Sequence, residues 1–168
     1  MSLDKRSRLI TYFIACGVGI GLPAAIGILD AVLFNNPYYL LFPVPFVGIM
    51  YLVWLYAPIG IGIRGSEVQI IRRIGPVKLN LAHIERAKAI SNLKDEAGWV
   101  MRTGGSGGAW GYYGFFWSKK WGTFKIHATD FSNLVLIETK NRKFLVSPDQ
   151  KEQFLGAIKN MNNQITIS

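Results

Sequence analysis

Few residues of this 168-residue chain have the type and spacing that catalysis or metal binding requires. The two histidines, His83 and His127, stand in no metal-ligand spacing and beside no obvious nucleophile. We interpret both as surface histidines. Cys16 is the only cysteine, which excludes an intrachain disulfide and a cysteine metal cluster. The sequence therefore predicts no enzyme activity, no cofactor and no metal site.

The strongest candidate for binding is a glycine-rich, aromatic segment at about Asn92–Gly122. Its glycines match neither GxxxxGK[ST] nor GxGxxG, so it does not predict a nucleotide site. It interrupts the strand pattern around it, and we expect an inserted loop that is too apolar to be left in water. The candidate membrane or partner contacts are Trp110, Tyr112, Tyr113, Phe115, Phe116, Trp117, Lys119 and Lys120.

Three interpretations of this segment remain open from the sequence. The aromatic side chains either cover a flank of their own domain or fold back on the N-terminal helices. Alternatively they anchor the domain at a membrane interface, with Lys119 and Lys120 on lipid phosphates. The third interpretation is a docking surface for a protein partner or a second copy of the chain.

The elements that must position this segment begin with an apolar stretch, Leu9–Ile63, whose single formal charge is Asp30. Its length predicts two transmembrane helices, about 9–34 and 39–56, in an antiparallel hairpin. A cleaved signal peptide is the competing interpretation, but the apolar core is long for one and a second span follows directly. Within the first span Gly17 and Gly21 have GxxxG spacing and are the candidate helix-packing residues.

The charge distribution predicts the orientation of the hairpin. The connecting turn carries no charge, whereas basic residues flank both outer ends. We therefore expect a multi-pass protein of the bacterial cell (inner) membrane with both termini in the cytoplasm. From Arg64 onward the chain has sixteen Lys and Arg but only eight Asp and Glu. This net positive charge favours contact with an anionic bilayer surface. A domain held there is a poor candidate for nucleic-acid binding. The flanking residues are Lys5, Arg6, Arg8, Arg64, Arg72 and Arg73.

Residues 1–57 thus form the tail and the spans, and residues 58–168 form a soluble, mainly β domain. Short alternating patterns predict seven strands in that domain. An amphipathic helix should close the chain, with Ser147 as its N-cap. The predicted strands are Ile59–Arg64, Glu67–Arg73, Pro76–Leu81, Ile84–Ile90, Thr123–Thr129, Asn133–Glu138 and Lys143–Val146.

This order of strands and helix resembles the pleckstrin-homology (PH) fold, and in particular the bacterial membrane-anchored PH-like family with two N-terminal spans. The resemblance covers about residues 59–161. It implies a seven-stranded pair of bent sheets, or partly open barrel, plugged by the C-terminal helix. Eukaryotic relatives bind inositol phospholipids through a basic loop between the first strands. The corresponding Arg64-Gly65-Ser66 turn lacks that basic cluster, so the specificity does not carry over. The segments that resemble the family are Gly107–Phe116, Trp121–Phe124, Ala128–Ile137, Lys143–Val146 and Ser147–Asp149.

The expected function is a non-enzymatic binding or assembly module, anchored in the membrane and facing the cytoplasm. The expected partners are the lipid bilayer and either a protein partner or a second copy. We expect no nucleic acid and no small-molecule ligand. The alternative function is an accessory or structural subunit that joins a larger membrane complex through its transmembrane helices.

Overall fold

Two apolar helices begin the chain in the computed structural model, which describes residues 5–161 and 166–167. Over Arg8–Leu33 and Pro37–Tyr56 they are long and apolar enough to cross a membrane. Their parts are α1 (Lys5–Tyr12), a π-helical segment (Phe13–Gly21), α2 (Leu22–Leu33), a 3-10 turn (Pro37–Leu41) and α3 (Val44–Tyr56).

Small residues on the first helix allow the second helix to pack closely against it. A Cβ on Gly19 would lie 2.8 Å from the Met50 sulfur, and one on Gly27 would lie 2.7 Å from the Tyr39 carbonyl oxygen. The later position on the first helix, Gly27, thus meets an earlier residue of the second helix than Gly19 does. The two helices therefore run in opposite directions. The helices therefore form the antiparallel hairpin that the sequence predicted.

The rest of the chain is mainly β and consists of two sheets. One is three-stranded, in the order β1-β2-β3, and the other is seven-stranded, in the order β10-β4-β8-β9-β7-β6-β5. Among the described residues these sheets do not close into a barrel. The strands are β1 (Pro58–Arg64), β2 (Glu67–Arg72), β3 (Val77–Asn80), β4 (Ile84–Ile90), β5 (Val100–Gly108), β6 (Gly111–Ser118), β7 (Gly122–Ala128), β8 (Leu134–Thr139), β9 (Lys143–Val146) and β10 (Thr166–Ile167); the helices are α4 (Leu93–Ala97) and α5 (Lys151–Met161).

The larger sheet has a core on each of its faces. Successive residues of β8 point to opposite faces, so Val135 and Ile137 join one core while Leu134 and Leu136 join the other. The first core lies between this sheet, the three-stranded sheet and α5, whose Ile158 is fully buried. The helix therefore closes one side of the sheet pair.

The prediction of an inserted loop at Asn92–Gly122 is wrong. Most of this segment is a β-hairpin, β5 and β6, at the end of the larger sheet. Gly105 and Gly114 are partners across the hairpin, at φ +107° and +119°. Added Cβ atoms there would overlap the opposite backbone, so glycine lets the two strands approach. The strands were missed because β6 carries aromatic residues on both faces and therefore shows no polar alternation.

Ser147 is not the N-cap of the C-terminal helix, because α5 begins at Lys151. Its hydroxyl oxygen instead accepts hydrogen bonds from the backbone N–H groups of Thr129 (2.9 Å) and Asp130 (3.4 Å). These bonds tie the end of β7 to the end of β9, where Ser147 is buried. A buried serine that satisfies two backbone donors contributes to the sheet rather than to the helix.

Candidate binding site where the helices meet the domain

The aromatic hairpin divides into a buried and an exposed part. Phe116 is 6% exposed and packs on Phe124 in the second core, with ring centroids 6.3 Å apart. Tyr112 is half-buried, with its ring 4.3 Å from that of Phe131. Both residues were predicted as membrane or partner contacts. The structure buries Phe116 inside the domain, whereas Tyr112 remains partly exposed and its contact role stays a prediction. Both side chains point toward the second core because their side of β6 faces it; Phe116 belongs to that core and Tyr112 packs against it.

Trp110 and Tyr113 join the hairpin to the N-terminal helices. The backbone N–H of half-buried Trp110 donates to the Thr11 hydroxyl oxygen at 2.7 Å. The Thr11 hydroxyl in turn donates to the Gly108 carbonyl at 3.3 Å. The buried Tyr113 hydroxyl donates to the backbone carbonyl of Val53 on α3. These contacts agree with the interpretation in which the segment folds back on the helices.

The exposed part of the hairpin forms an apolar surface that we call the hairpin patch. It consists of Met101, Phe115 and Trp117, which are 42%, 49% and 38% exposed. Trp99 is 71% exposed but precedes β5 and lines a separate groove with Phe131. Met101 and Trp117 are register partners, and Phe115 lies two residues from Trp117 on the same face. The sequence predicted Phe115 and Trp117 but not Met101, because the strand that carries Met101 was not recognised.

The two predicted lysines lie beyond the end of β6. Both Lys119 and Lys120 are exposed. The Lys120 ammonium group donates to the Asp95 backbone carbonyl at 2.9 Å, which ties this turn to α4. A role of these lysines in membrane contact remains a prediction.

The domain caps the C-terminal end of α3. The last carbonyls of a helix lack partners within it, and here residues outside the helix supply them. Tyr113 donates to the Val53 carbonyl, and the Ile74 N–H donates to the Leu55 carbonyl at 3.3 Å. The Arg73 guanidinium donates to the Trp54 carbonyl at 3.1 Å and lies 4.1 Å above the Trp54 ring. Helix and domain are therefore joined by backbone capping as well as by the chain itself.

A groove of about 530 Å³ opens beside this junction. One wall comes from α3, another from the three-stranded sheet, and its floor is the face of β5, β6 and β7 opposite the second core. None of the described residues lining it is acidic. The residues that line it are Leu52, Val53, Tyr56, Arg72, Val77, Gly104, Gly105, Ser106, Tyr113, Gly114, Phe115, Lys125 and His127.

Three nitrogen-bearing side chains give the groove its electrostatic character. Burial, then the charges of Arg72 and Lys125, lower the pKa of His127 to about 4. The pKa of Lys125 is also lowered, mainly by burial and then by the positive charges of Arg142 and Arg72. The Lys125 ammonium lies 4.7 Å above the Phe115 ring, and the Arg72 guanidinium lies 5.6 Å above the Tyr56 ring. Positive charge is therefore crowded at this site.

His127 corrects the prediction of a surface histidine. It is 6% exposed, and within the described part of the chain its Nδ1 has no hydrogen-bond partner. The sequence predicted that His127 lies on a strand, on the same face as Lys125, and the structure confirms this. That face is covered by the three-stranded sheet and by α3, which alternation within one strand cannot reveal.

The first helix presents Gly17 and Gly21 away from the helix packing within the chain. A Cβ on Gly17 would meet nothing within 4 Å, and one on Gly21 would meet only its own helix at the Cys16 carbonyl. Close packing between the two helices involves Gly19 and Gly27, and the predicted pair takes no part in it. A contact of Gly17 and Gly21 with another protein remains a prediction.

Comparison with known proteins gives a family for the β domain. Residues 61–162 match the family described as "Bacterial PH domain". Neither the curated proteins nor the solved structures gave a match. Among the described residues no cluster of His, Cys, Asp or Glu that could hold a metal ion is found. The matched region runs from β1 to the end of α5 and covers more than half of the sequence, so the chain belongs to the bacterial PH domain family.

Proposed function

We propose that the chain is a non-enzymatic binding and assembly module, held on the cytoplasmic face of the bacterial inner membrane by its two apolar helices. Membership of the bacterial PH domain family supports a binding role. The length and apolarity of the helices support the membrane location. The flanking basic residues support the orientation.

The observation that carries the proposal is the hairpin patch on a domain fixed to the helix ends. Its three apolar side chains are exposed on the face of the hairpin that points away from the second core. Apolar side chains grouped on a surface mark interaction sites, and aromatic residues dominate the binding energy of such sites. We expect the patch to contact a protein partner or a second copy.

The experiment is affinity capture of the full-length chain from detergent-solubilised membranes, with mass spectrometry of the recovered proteins. The double variant Phe115→Ser/Trp117→Ser removes the centre of the patch and should lower partner recovery at least about tenfold. Met161→Ser is the matched control, since Met161 is 56% exposed on α5, outside the patch. Equal recovery by both variants would remove the assembly role. Phe116→Ser is unsuitable because it would disrupt the core.

An accessory or structural subunit is the second candidate function. It is favoured by Gly17 and Gly21, small residues that the packing between the two helices does not use. Gly17→Leu should block assembly with another membrane protein while leaving the hairpin intact. Gly48→Leu is the control, because a Cβ on Gly48 of the second helix also meets nothing within 4 Å. If both variants assemble like the wild type, this function is excluded.

A further inference from the structure

The groove beside α3 combines a crowded set of cations with an apolar wall. Arg72 and Lys125 form no ion pair with any carboxylate among the described residues. Cations that repel one another without a counter-ion leave electrostatic energy that an anion can recover. The electrostatics therefore point to a negatively charged group in the groove.

The apolar wall indicates that this anion is attached to a hydrocarbon. Leu52 and Tyr56 line the groove and are also 54% and 44% exposed on the outside of α3. A chain of methylenes can therefore leave the groove along the helix without crossing a polar barrier. The groove volume of about 530 Å³ lies within the roughly 300–1,000 Å³ typical of small-molecule sites.

The position of the groove fits a lipid source. In the proposed arrangement the second apolar helix (Pro37–Tyr56) crosses the bilayer and ends at Tyr56, and tyrosine at a helix end marks the depth of the headgroups. Arg72 and Lys125 would then lie beside the phosphates of the cytoplasmic leaflet. The Arg64-Gly65-Ser66 turn, which corresponds to the lipid-binding loop of eukaryotic PH domains, does not line the groove.

We propose that this groove binds one anionic phospholipid, with its phosphate between Arg72 and Lys125 and the start of one acyl chain along Leu52 and Tyr56. The inference rests on the proposed membrane location, and it names a ligand for the proposed binding module. Bound lipid would neutralise the cations and fill the gap between the helix and the domain. His127 forms part of the floor.

The test is lipid binding to the full-length chain in detergent micelles, measured by native mass spectrometry. Phosphatidylglycerol and phosphatidylcholine with identical acyl chains are titrated separately, and glycerol 3-phosphate serves as the soluble headgroup probe. We expect one phosphatidylglycerol to bind at least about tenfold more tightly than phosphatidylcholine. Glycerol 3-phosphate should not displace it at equal concentration, because the probe lacks the acyl contact. Equal affinity for the two lipids would overturn the proposal. So would binding of glycerol 3-phosphate with the same affinity as phosphatidylglycerol.

Variants locate the binding site. Lys125→Gln should weaken phosphatidylglycerol binding about tenfold, and Lys125→Arg should restore it. Lys159→Gln is the charge-matched control, since Lys159 is exposed on α5 outside the groove. Arg72→Gln is the independent second test if Lys125→Gln alters the circular dichroism spectrum. Unchanged binding in a folded Lys125→Gln or Arg72→Gln chain would refute the site.

This failure is distinguishable from failure of the proposed function. A chain that remains in the membrane fraction but does not retain phosphatidylglycerol refutes the lipid site alone. A chain that is released from membranes by high salt or alkaline carbonate refutes the membrane location, and the lipid site with it.

Discussion

Lowering the pH from 7 to 4 should destabilise the fold through His127. Burial beside Arg72 and Lys125 lowers the pKa of His127 to about 4 in the folded chain, whereas an unfolded histidine has a pKa of about 6.5. Between these values the unfolded chain binds a proton that the folded chain does not, so stability rises with pH across this window. The difference corresponds to about 3 kcal/mol, fully lost once the pH is below about 4.

The measurement is urea unfolding of the full-length chain in detergent micelles, followed by tryptophan fluorescence at several pH values. Carboxylates also titrate in this range, but they are common to the wild type and to His127→Gln. The difference between the two chains therefore isolates His127. We expect the wild type to lose about 3 kcal/mol more than the variant between pH 7 and pH 4. His83→Gln is the control for removal of a histidine, because His83 is exposed.

Two results would refute this reasoning about His127. One is a parallel loss of unfolding free energy in the wild type and His127→Gln. The other is an NMR titration of the His127 ring with a midpoint near 6.5, which would show that burial and cationic neighbours do not disfavour its charge. Because Arg72, Lys125 and the Tyr113 and Tyr56 hydroxyls are the charged or titratable groups of the groove, no carboxylate among its lining residues opposes the effect.

Three further predictions test the junction, the hairpin and the orientation. Tyr113→Phe should lower the free energy of urea unfolding by about 1–2 kcal/mol, because the Val53 carbonyl loses its donor. Gly105→Ala should cost about 2 kcal/mol or more in the same assay, since its Cβ would overlap the opposite strand, whereas Gly104→Ala, with open space around the Cβ, should cost little. In a Cys16→Ser background, Asn35→Cys should react with a membrane-impermeant maleimide on intact cells, because the turn between the helices lies outside the cytoplasm in the proposed topology. Labelling only after lysis would show that the topology is the opposite one.

Seven of the strands were predictable from the sequence. β4 (Ile84–Ile90) and β9 (Lys143–Val146) have the predicted limits, and β1, β2, β3, β7 and β8 differ by one residue at one or both ends. In β2 a period of two matches the alternating exposure of the two faces. In β8 four successive residues are buried, because that strand has a core on each face. The helix hairpin was predictable for a different reason, since a long apolar stretch divided by Asn-Asn-Pro has few alternatives.

The candidate site was predictable only in part, because it depends on which faces meet. Phe115 and Trp117 were predicted as contacts and are exposed, whereas Phe116 between them belongs to the core. Composition cannot tell which of these aromatic residues are exposed and which are buried. Recognition of β6 as a strand would have done so, because successive residues of a strand point to opposite faces. The groove was not predictable at all. Arg72 and Lys125 are 53 positions apart in the sequence, and they come together only when the three-stranded sheet packs over β7.

The capping of α3 by the domain constrains how the molecule can work. Separation of the two would break the hydrogen bonds of Tyr113 and Ile74 to the helix end and the contact of Arg73 with Trp54. At about 1 kcal/mol for each contact, the separated state costs about 3 kcal/mol and is populated at about 1% or less. The hairpin patch is therefore held at a fixed angle to the helices. A partner that binds the patch meets a surface already oriented by the helices, which reduces the entropy lost on assembly.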